Sequence, residues 1–283
     1  MADRQRGRRR PGGRRVSAIR LRGRSTLALA LVSVVGLVAF GWPLFAAAHS
    51  GLGHSGDAPW LFAVLLPLLL VVVLAEVSDG GIDAKAVALL GVLAAVGAVL
   101  RPLGGGVTGF QPMFVLLILG GRALGPGFGF VLGMVTTFAS ALLTGGVGPW
   151  LPFQMLGAAW VGLGAGLLPP LRGRAETWLL VGYGAASGIA YGFLLNLWSW
   201  PFTTGLSSSV SFVPGDPLVA NLGRFLAYCL VTSLGFDIPR AIGNMALLAV
   251  TSGPLLRALR RASRRAAFGD PVVFVPARLE GER

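Results

Sequence analysis

Between residues 84 and 170 the chain alternates long apolar runs with short turns that are rich in glycine and proline. Inside these runs small residues recur at every fourth position, namely Gly125, Gly129, Gly133, Thr137 and Ala141. Residues four apart lie on one face of a helix, so the series forms a stripe without bulky side chains. In lipid such stripes let helix backbones approach closely and gain packing contacts. The pattern predicts a tightly packed bundle of membrane helices.

Two later apolar runs carry the same spacing of small residues. The first stripe is Ala158, Gly162 and Gly166, and the second is Gly184, Gly188 and Gly192. One further step of four residues brings the first stripe to Gln154 and the second to Asn196. Because these amides continue the packed faces, we expect both to face the interior of the bundle rather than lipid.

The apolar runs predict about eight helices, at residues 26–48, 60–77, 84–100, 112–121, 127–143, 153–168, 177–198 and 224–250. The last run is too long for one straight span and contains Pro239, which predicts a kink. Basic residues concentrate in both tails and in alternate loops, and only Arg101 and Arg224 fall in loops assigned to the outside. The positive-inside rule therefore predicts a multi-pass plasma-membrane protein with both termini in the cytoplasm.

The first apolar run, Thr26 to Ala48, has a second interpretation as a cleaved signal peptide, since Ala46, Ala47 and Ala48 resemble a cleavage site. Its apolar part exceeds the usual length of about 7–15 residues, which favours an uncleaved helix.

The composition supports an all-α integral membrane protein. Of 283 residues 54% are hydrophobic and 12% are charged, whereas soluble domains carry about 25% charged residues. A transmembrane barrel would alternate apolar and polar positions, and these runs do not alternate. The net charge of +13 comes mainly from arginine-rich tails at residues 1–25 and 257–283. We expect the tails to be cytoplasmic, the first one disordered, and to meet anionic lipid rather than nucleic acid, since no base-reading motif is present.

Several kinds of chemistry are excluded by missing residues. The single lysine, Lys85, does not follow a glycine-rich loop, so the chain has no Walker A motif of its own. The chain also lacks HExxH and GxSxG motifs, and both histidines, His49 and His54, lie in one loop. A metal bound by these histidines and Asp57 is a weaker alternative to a solvated loop. No cofactor is expected.

Polar and aromatic residues collect toward the predicted outer ends of the helices. The candidate substrate-binding residues are Phe110, Gln111, Trp150, Phe153, Gln154, Asn196 and Trp200. Tryptophans such as Trp198 and Trp200 also fit an interfacial aromatic belt. A site of this composition suits a planar or large heterocyclic ligand, and the glycine-rich outer loops suit a lid. Asp237 and Arg240 share a helix face and are predicted to form an ion pair.

Two segments carry a family resemblance, namely GFQPMFVLLILGGRALGPGFGF and LLTGGVGPWLPFQMLGAAWVGLGAG. With them, residues 84–256 resemble the substrate-binding (S) components of energy-coupling-factor (ECF) vitamin transporters. Ala84 and Ala88 match the family's A-x-x-x-A motif. The resemblance implies a six-helix core at 84–256, preceded here by two additional transmembrane helices at 26–83. It also implies that the two alanines meet a transmembrane T component driven by two ATPase subunits.

The resulting hypothesis is a transporter subunit, not an enzyme, that binds a vitamin or cofactor-like molecule from outside for ATP-driven uptake by its partners. Cobalamin or a flavin fits the aromatic residues better than thiamine does. The alternatives are a structural membrane subunit and a lipid- or prenyl-modifying enzyme using Arg101, Asp237 and Arg240. Such an enzyme needs clustered acids for Mg²⁺, and no second acid lies near Asp237 in the sequence.

Overall fold

The computed structural model describes residues 23–45, 84–104, 109–203 and 205–266, and these residues form helices joined by short turns. The α-helices are α1 (Gly23–Phe45), α2 (Ala84–Leu103), α3 (Met113–Leu124), α4 (Pro126–Thr144), α5 (Leu151–Leu167), α6 (Arg174–Ser199), α7 (Leu218–Thr232) and α8 (Leu234–Ala266). A single 3-10 turn, Trp200–Phe202, follows α6. The predicted helix at 60–77, the first 22 residues, the histidine loop and the end of the basic tail lie outside the described residues.

Five of the described helices are long and apolar enough to cross a membrane, namely α1, α2, α4, α6 and α8. The helices α3, α5 and α7 are shorter apolar helices. The lipid-facing surface of a membrane bundle is apolar, and large hydrophobic side chains such as Leu37, Val96 and Val250 are indeed exposed. The predicted all-helical membrane bundle is therefore confirmed.

The stripe of small residues on α4 packs directly against the stripe on α5. Gly129 and Gly162 face each other so closely that a Cβ on either would overlap the backbone of the other. One turn further along, Gly133 lies equally close to the Ala158 carbonyl group. These contacts confirm that small residues four apart mark a packed helix face. They also show that α4 and α5 run antiparallel, because the higher residue numbers of one helix meet the lower numbers of the other.

The stripe formed by Gly184, Gly188 and Gly192 packs α6 against α8 in the same manner. Asn244 on α8 donates a hydrogen bond to the Gly184 carbonyl oxygen over 3.0 Å. Gly192 lies directly against the carboxylate of Asp237, where any larger side chain would collide with it. Close backbone approach thus brings the polar residues of α8 into the interior of the bundle.

The prediction of one kinked helix at 224–250 was wrong, because the structure forms two helices, α7 and α8, that meet at Ser233. The Ser233 carbonyl accepts the backbone N–H groups of Phe236 (2.9 Å) and Asp237 (2.8 Å), which begin α8. Its hydroxyl accepts a hydrogen bond from the side chain of Asn196. Serine is favoured at helix starts, where its carbonyl oxygen already accepts the first helical hydrogen bond. Pro239 lies inside α8, one turn beyond this start.

Helix α1 is an integral part of the described structure. It packs across α5, α6 and α7, and the Phe40 ring is 1% exposed. The indole Nε1 of Trp160 on α5 donates to the Ser33 hydroxyl over 3.0 Å. Because polar and aromatic contacts both hold it, α1 is a part of the bundle rather than a loosely attached anchor.

An ionic cluster joins the helix ends that are predicted to face the cytoplasm. Glu176 at the start of α6 accepts hydrogen bonds from Arg122 (2.7 Å) and from Arg260 (2.6 and 3.0 Å). Arg122 also donates to the carbonyl oxygens of Leu168 and Pro169, both over 2.9 Å. These bonds satisfy carbonyl groups that the end of α5 leaves without helical partners. The cluster fixes α3, α5, α6 and α8 to one another at this end.

Candidate functional site

Arg101, near the end of α2, reaches across the bundle to α5. Its Nη2 donates a hydrogen bond to Oε1 of Gln154 over 2.6 Å. No described acidic side chain forms an ion pair with Arg101. Gln154 therefore faces the interior, as its position on the small-residue stripe predicts, and its partner is a positively charged group.

A second arginine, Arg240 on α8, lies in the interior with several partners. Its Nη1 donates to Asp237 Oδ1 over 2.6 Å and to the Gly188 carbonyl oxygen over 3.1 Å. Its Nε donates to Oε1 of Gln111 over 3.2 Å. Asp237 and Arg240 are 6% and 7% exposed, so the ion pair predicted from their spacing is confirmed as a buried one.

Tyr191 on α6 lies beside Arg240 and against α5. The Arg240 guanidinium carbon is 5.5 Å from the centre of its ring, a distance at which a cation is attracted to an aromatic face. The tyrosine ring also packs against Gly157 of α5, three residues beyond Gln154. Its ring makes an edge contact with Phe114, with 4.8 Å between ring centres. We call this group the two-arginine cluster; its members are Arg101, Gln111, Gln154, Tyr191, Asp237 and Arg240.

Two buried hydroxyl groups lie on α4, which packs against α2, the helix that carries Arg101. Thr136 and Ser140 are fully buried, and neither hydroxyl oxygen has a hydrogen-bond partner among the described residues. The Thr136 side chain packs against Gly97 of α2. Since α2 and α4 run in the same direction, Ser140 lies one turn beyond Thr136, as Arg101 lies one turn beyond Gly97. The register thus places Ser140 at the level of Arg101.

The aromatic residues at this end pack mainly on one another. Phe153 is 3% exposed and contacts Phe40 of α1 and Trp198 of α6, with ring centres 4.9 and 5.0 Å away. Further ring contacts extend this aromatic cluster to Trp42, Trp200, Phe202, Phe212, Phe225 and Tyr228. The cluster holds α1 and the segment after α6 against the bundle.

The two candidate tryptophans have different environments. Trp200 is 1% exposed, and its Nε1 donates to the Val210 carbonyl oxygen over 2.7 Å. Trp150 is 41% exposed, and its Nε1 donates to the Gly146 carbonyl oxygen over 3.1 Å. Trp200 therefore anchors the segment that follows α6, whereas Trp150 presents part of its ring at the surface between α4 and α5.

The two other candidate residues both contact α8 or its start. The ring of Phe110 packs against Gly243 of α8, one turn beyond Arg240. Asn196 donates to the Ser233 hydroxyl and lies 3.5 Å from the Cys229 sulfur. The structure thus brings Phe110, Gln111 and Gln154 to the two arginines. It places Phe153 and Trp200 in the aromatic cluster and Asn196 at the junction of α7 and α8.

The segment between α6 and α7 is held by specific polar contacts. The side-chain amide of Asn221 donates to the Val213 carbonyl oxygen over 2.8 Å and accepts the Val213 N–H over 3.3 Å. Arg224 pairs with Asp216 over 2.6 Å, and both side chains are partly exposed. Arg224 therefore has its own acidic partner, whereas Arg101 has none among the described residues.

A match to a family of membrane transport subunits accompanies this geometry. Residues 85–252 match the model of the family described as ECF transporter, substrate-specific component. The chain belongs to this family. Searches of curated proteins and of solved structures give no significant match. In this S component the matched region contains α2 to α7 and most of α8, together with the two-arginine cluster, whereas α1 precedes it.

The S component exposes the two alanines that match the A-x-x-x-A motif. Ala84 and Ala88 lie on the surface of α2, and Gly91 and Ala95 continue the same exposed face. A Cβ at Gly91 would meet no atom within 4 Å. Four small exposed residues at helical spacing form a narrow smooth strip along α2, which is distinct from the buried stripes inside the bundle.

Sequence reasoning missed Tyr191, Thr136 and Ser140 as members of the site. Tyr191 lies between Gly188 and Gly192 in the sequence. Its position in an apolar run, beside a packed stripe, could have indicated that it faces the interior. The spacing predicts an ion pair for Arg240, whereas its contact with Gln111, which precedes α3, requires the tertiary structure. Hydroxyls such as Thr136 give no such signal, because a threonine or serine in a membrane helix usually bonds its own backbone, as Thr137 does to Gly133 over 2.8 Å.

Proposed function

We propose that this S component binds a vitamin or cofactor-like molecule at the two-arginine cluster and hands it to an energised complex for uptake. The observation that carries the proposal is the pairing of Arg101 with Gln154 inside the bundle, where no acid of the described residues pairs with Arg101. An arginine near a helix end commonly extends its side chain to the membrane interface, whereas Arg101 turns toward Gln154 of α5. A ligand that binds the guanidinium group would account for this orientation.

The ligand-binding residues in this proposal are the seven candidates predicted from the sequence, and we assign them distinct roles. Gln111 and Gln154 hold the two arginines and offer hydrogen bonds of their own. We assign Phe110 and Trp150 the aromatic surface that the ligand contacts. Phe153, Asn196 and Trp200 shape the walls, because they join the helices that surround the site. Such a mixture of apolar walls and few polar groups is typical of small-molecule sites.

The proposal includes partners that supply the energy. Family membership implies association with a T component and ATPase subunits, and we propose two ATPases in this complex. The exposed strip at Ala84 and Ala88 supports a docking face for the T component, because close helix contact in lipid requires small residues. The S component would lie in the plasma membrane with both termini in the cytoplasm, so that the two-arginine cluster lies toward the outside.

Ligand binding by the purified protein tests the proposal. Tryptophan fluorescence is measured in detergent during titration with riboflavin, cobalamin, thiamine, biotin, pantothenate and nicotinate. We expect saturable binding of one of these compounds, and weaker binding by Trp150→Ala and Gln154→Ala. Gly182→Ala is the control, because a Cβ at Gly182 meets no neighbouring atom. Wild-type affinity in both site variants contradicts the site, and binding of none of the compounds contradicts the function.

A further inference from the structure

We infer that the ligand of this S component carries a single anionic group, a carboxylate, which Arg101 binds together with the Ser140 hydroxyl. The inference rests on the proposed function and specifies its substrate class. It follows from the charge of Arg101, from the buried hydroxyl groups of Thr136 and Ser140, and from the alignment of α2 with α4.

The charges of the two-arginine cluster do not balance. Asp237 is its only acid and already pairs with Arg240 over 2.6 Å. Among the described residues, the hydrogen-bond partner of Arg101 is a neutral amide, that of Gln154. One positive charge is therefore left over among the described residues at this level of the bundle. In a medium of low polarity that charge attracts an anion strongly.

Two buried hydroxyl groups on α4 are also without described hydrogen-bond partners. Thr136 Oγ1 and Ser140 Oγ are buried and have no described hydrogen-bond partner, although buried polar groups are nearly always paired. A hydroxyl can donate its hydrogen atom to a carboxylate oxygen. Since Ser140 lies at the level of Arg101, one carboxylate would accept hydrogen bonds from both side chains, and such charge-assisted bonds are stronger than neutral ones.

The amount of charge favours a carboxylate over a phosphate. A phosphate monoester carries a charge of about −1.5 to −2 at neutral pH, which one unpaired arginine does not neutralise. A carboxylate carries one negative charge and matches Arg101 alone. This chemistry favours acidic vitamins over riboflavin and cobalamin, which the aromatic residues alone favour.

The test compares each acid with a neutral analogue of the same size. The probes are nicotinate with nicotinamide, biotin with biotinamide, and pantothenate with panthenol, titrated against the purified full-length protein. We expect the protein to bind the acid of one pair at least about tenfold more tightly than its neutral analogue, the typical contribution of a charge-assisted hydrogen bond. In Arg101→Gln this preference should disappear through weaker binding of the acid.

Two further variants keep the test informative if Arg101→Gln does not fold. Ser140→Ala should weaken binding of the acid several-fold and leave the neutral analogue unchanged, because it removes one hydroxyl donor. Arg224→Gln is the matched control, since Arg224 already pairs with Asp216, and it should keep the full preference for the acid.

The outcomes separate the two proposals. If acid and neutral analogue bind equally to the wild-type protein, or if Arg101→Gln keeps the preference, the carboxylate subsite is overturned while ligand binding stands. If the folded protein binds neither member of any pair but binds riboflavin or cobalamin, the subsite is again overturned and the proposed function survives. If no vitamin binds at all, both proposals are overturned.

Discussion

Arg240 donates a hydrogen bond to Asp237, three residues earlier on α8, over 2.6 Å, and more than nine-tenths of each side chain is buried. Arg240 uses its other donors on Gln111 and on the backbone of Gly188. The pair thus joins α8 to α6 and to the segment that precedes α3. Neither charge can be removed alone without leaving the other one unpaired in an apolar environment.

We therefore expect Asp237→Ala to lower the thermal unfolding midpoint of the detergent-purified protein. Removing one member of a buried ion pair costs about 3–5 kcal/mol. The double variant Asp237→Ala/Arg240→Ala should recover part of this loss, because it removes the unpaired charge as well. A double variant that is no more stable than Asp237→Ala would show that the carboxylate has a role apart from Arg240.

Asp216→Ala provides the control for this experiment. Asp216 pairs with Arg224 over the same 2.6 Å, but both side chains are partly exposed. Exposed ion pairs contribute only about 0–1 kcal/mol. The thermal unfolding midpoint of Asp216→Ala should therefore be close to that of the wild-type protein.

Alanine substitution of two glycines tests the packing of the bundle. In Gly162→Ala the new methyl group would overlap the Gly129 carbonyl group, so α4 and α5 must separate and the protein loses stability. In Gly182→Ala the methyl group meets no atom within 4 Å, and the higher helix propensity of alanine should stabilise the protein by up to about 1 kcal/mol. Thermal unfolding of both variants measures the difference. Equal effects would contradict the close α4–α5 contact.

The direction of the helices is tested by reporter fusions. Fusions at Trp150 and Ser208 should report the outside, and fusions at Gly173 and Ala262 the cytoplasm. This assignment keeps the arginines of the α5–α6 turn and of the end of α8 inside, as the positive-inside rule requires. A cytoplasmic reporter signal at Ser208 would invert the site and contradict uptake from outside.

Bulky residues on α2 test the proposed docking of the T component. The double variant Ala84→Trp/Ala88→Trp should abolish co-purification of the complex while the isolated subunit keeps its ligand binding. A matched control exists on α6, where Ala186 and Ala190 are also exposed and four residues apart. Ala186→Trp/Ala190→Trp should leave the complex intact. Loss of the complex in both double variants, or in neither, would mean that α2 is not the docking face.

The packed helix faces could be predicted from the sequence, because small residues four apart have one geometric consequence in a helix. Gly129 against Gly162 and Gly192 against Asp237 follow from that rule. The junction at Ser233 could not be predicted, since the run that contains it is apolar on both sides. Asn196, the partner of the Ser233 hydroxyl, is 37 residues away in the sequence, and only the fold brings the two together.

The aromatic residues show a second limit of sequence reasoning. Phe153 and Gln154 are neighbours and were assigned to one site, yet successive helix positions point about 100° apart. Phe153 consequently packs on Phe40 of α1, while Gln154 bonds Arg101 of α2. In a membrane bundle both the core and the lipid-facing surface are apolar, so hydrophobicity does not tell which way an aromatic residue points.

The most direct test of ligand binding at the two-arginine cluster is mass spectrometry of the small molecules that are released from the purified protein. We predict one defined vitamin-like compound in the wild-type protein and in Gly182→Ala, and its loss from Gln154→Ala when that variant remains folded. Release of no compound, or of the same amount from Gln154→Ala as from the wild type, would contradict the account.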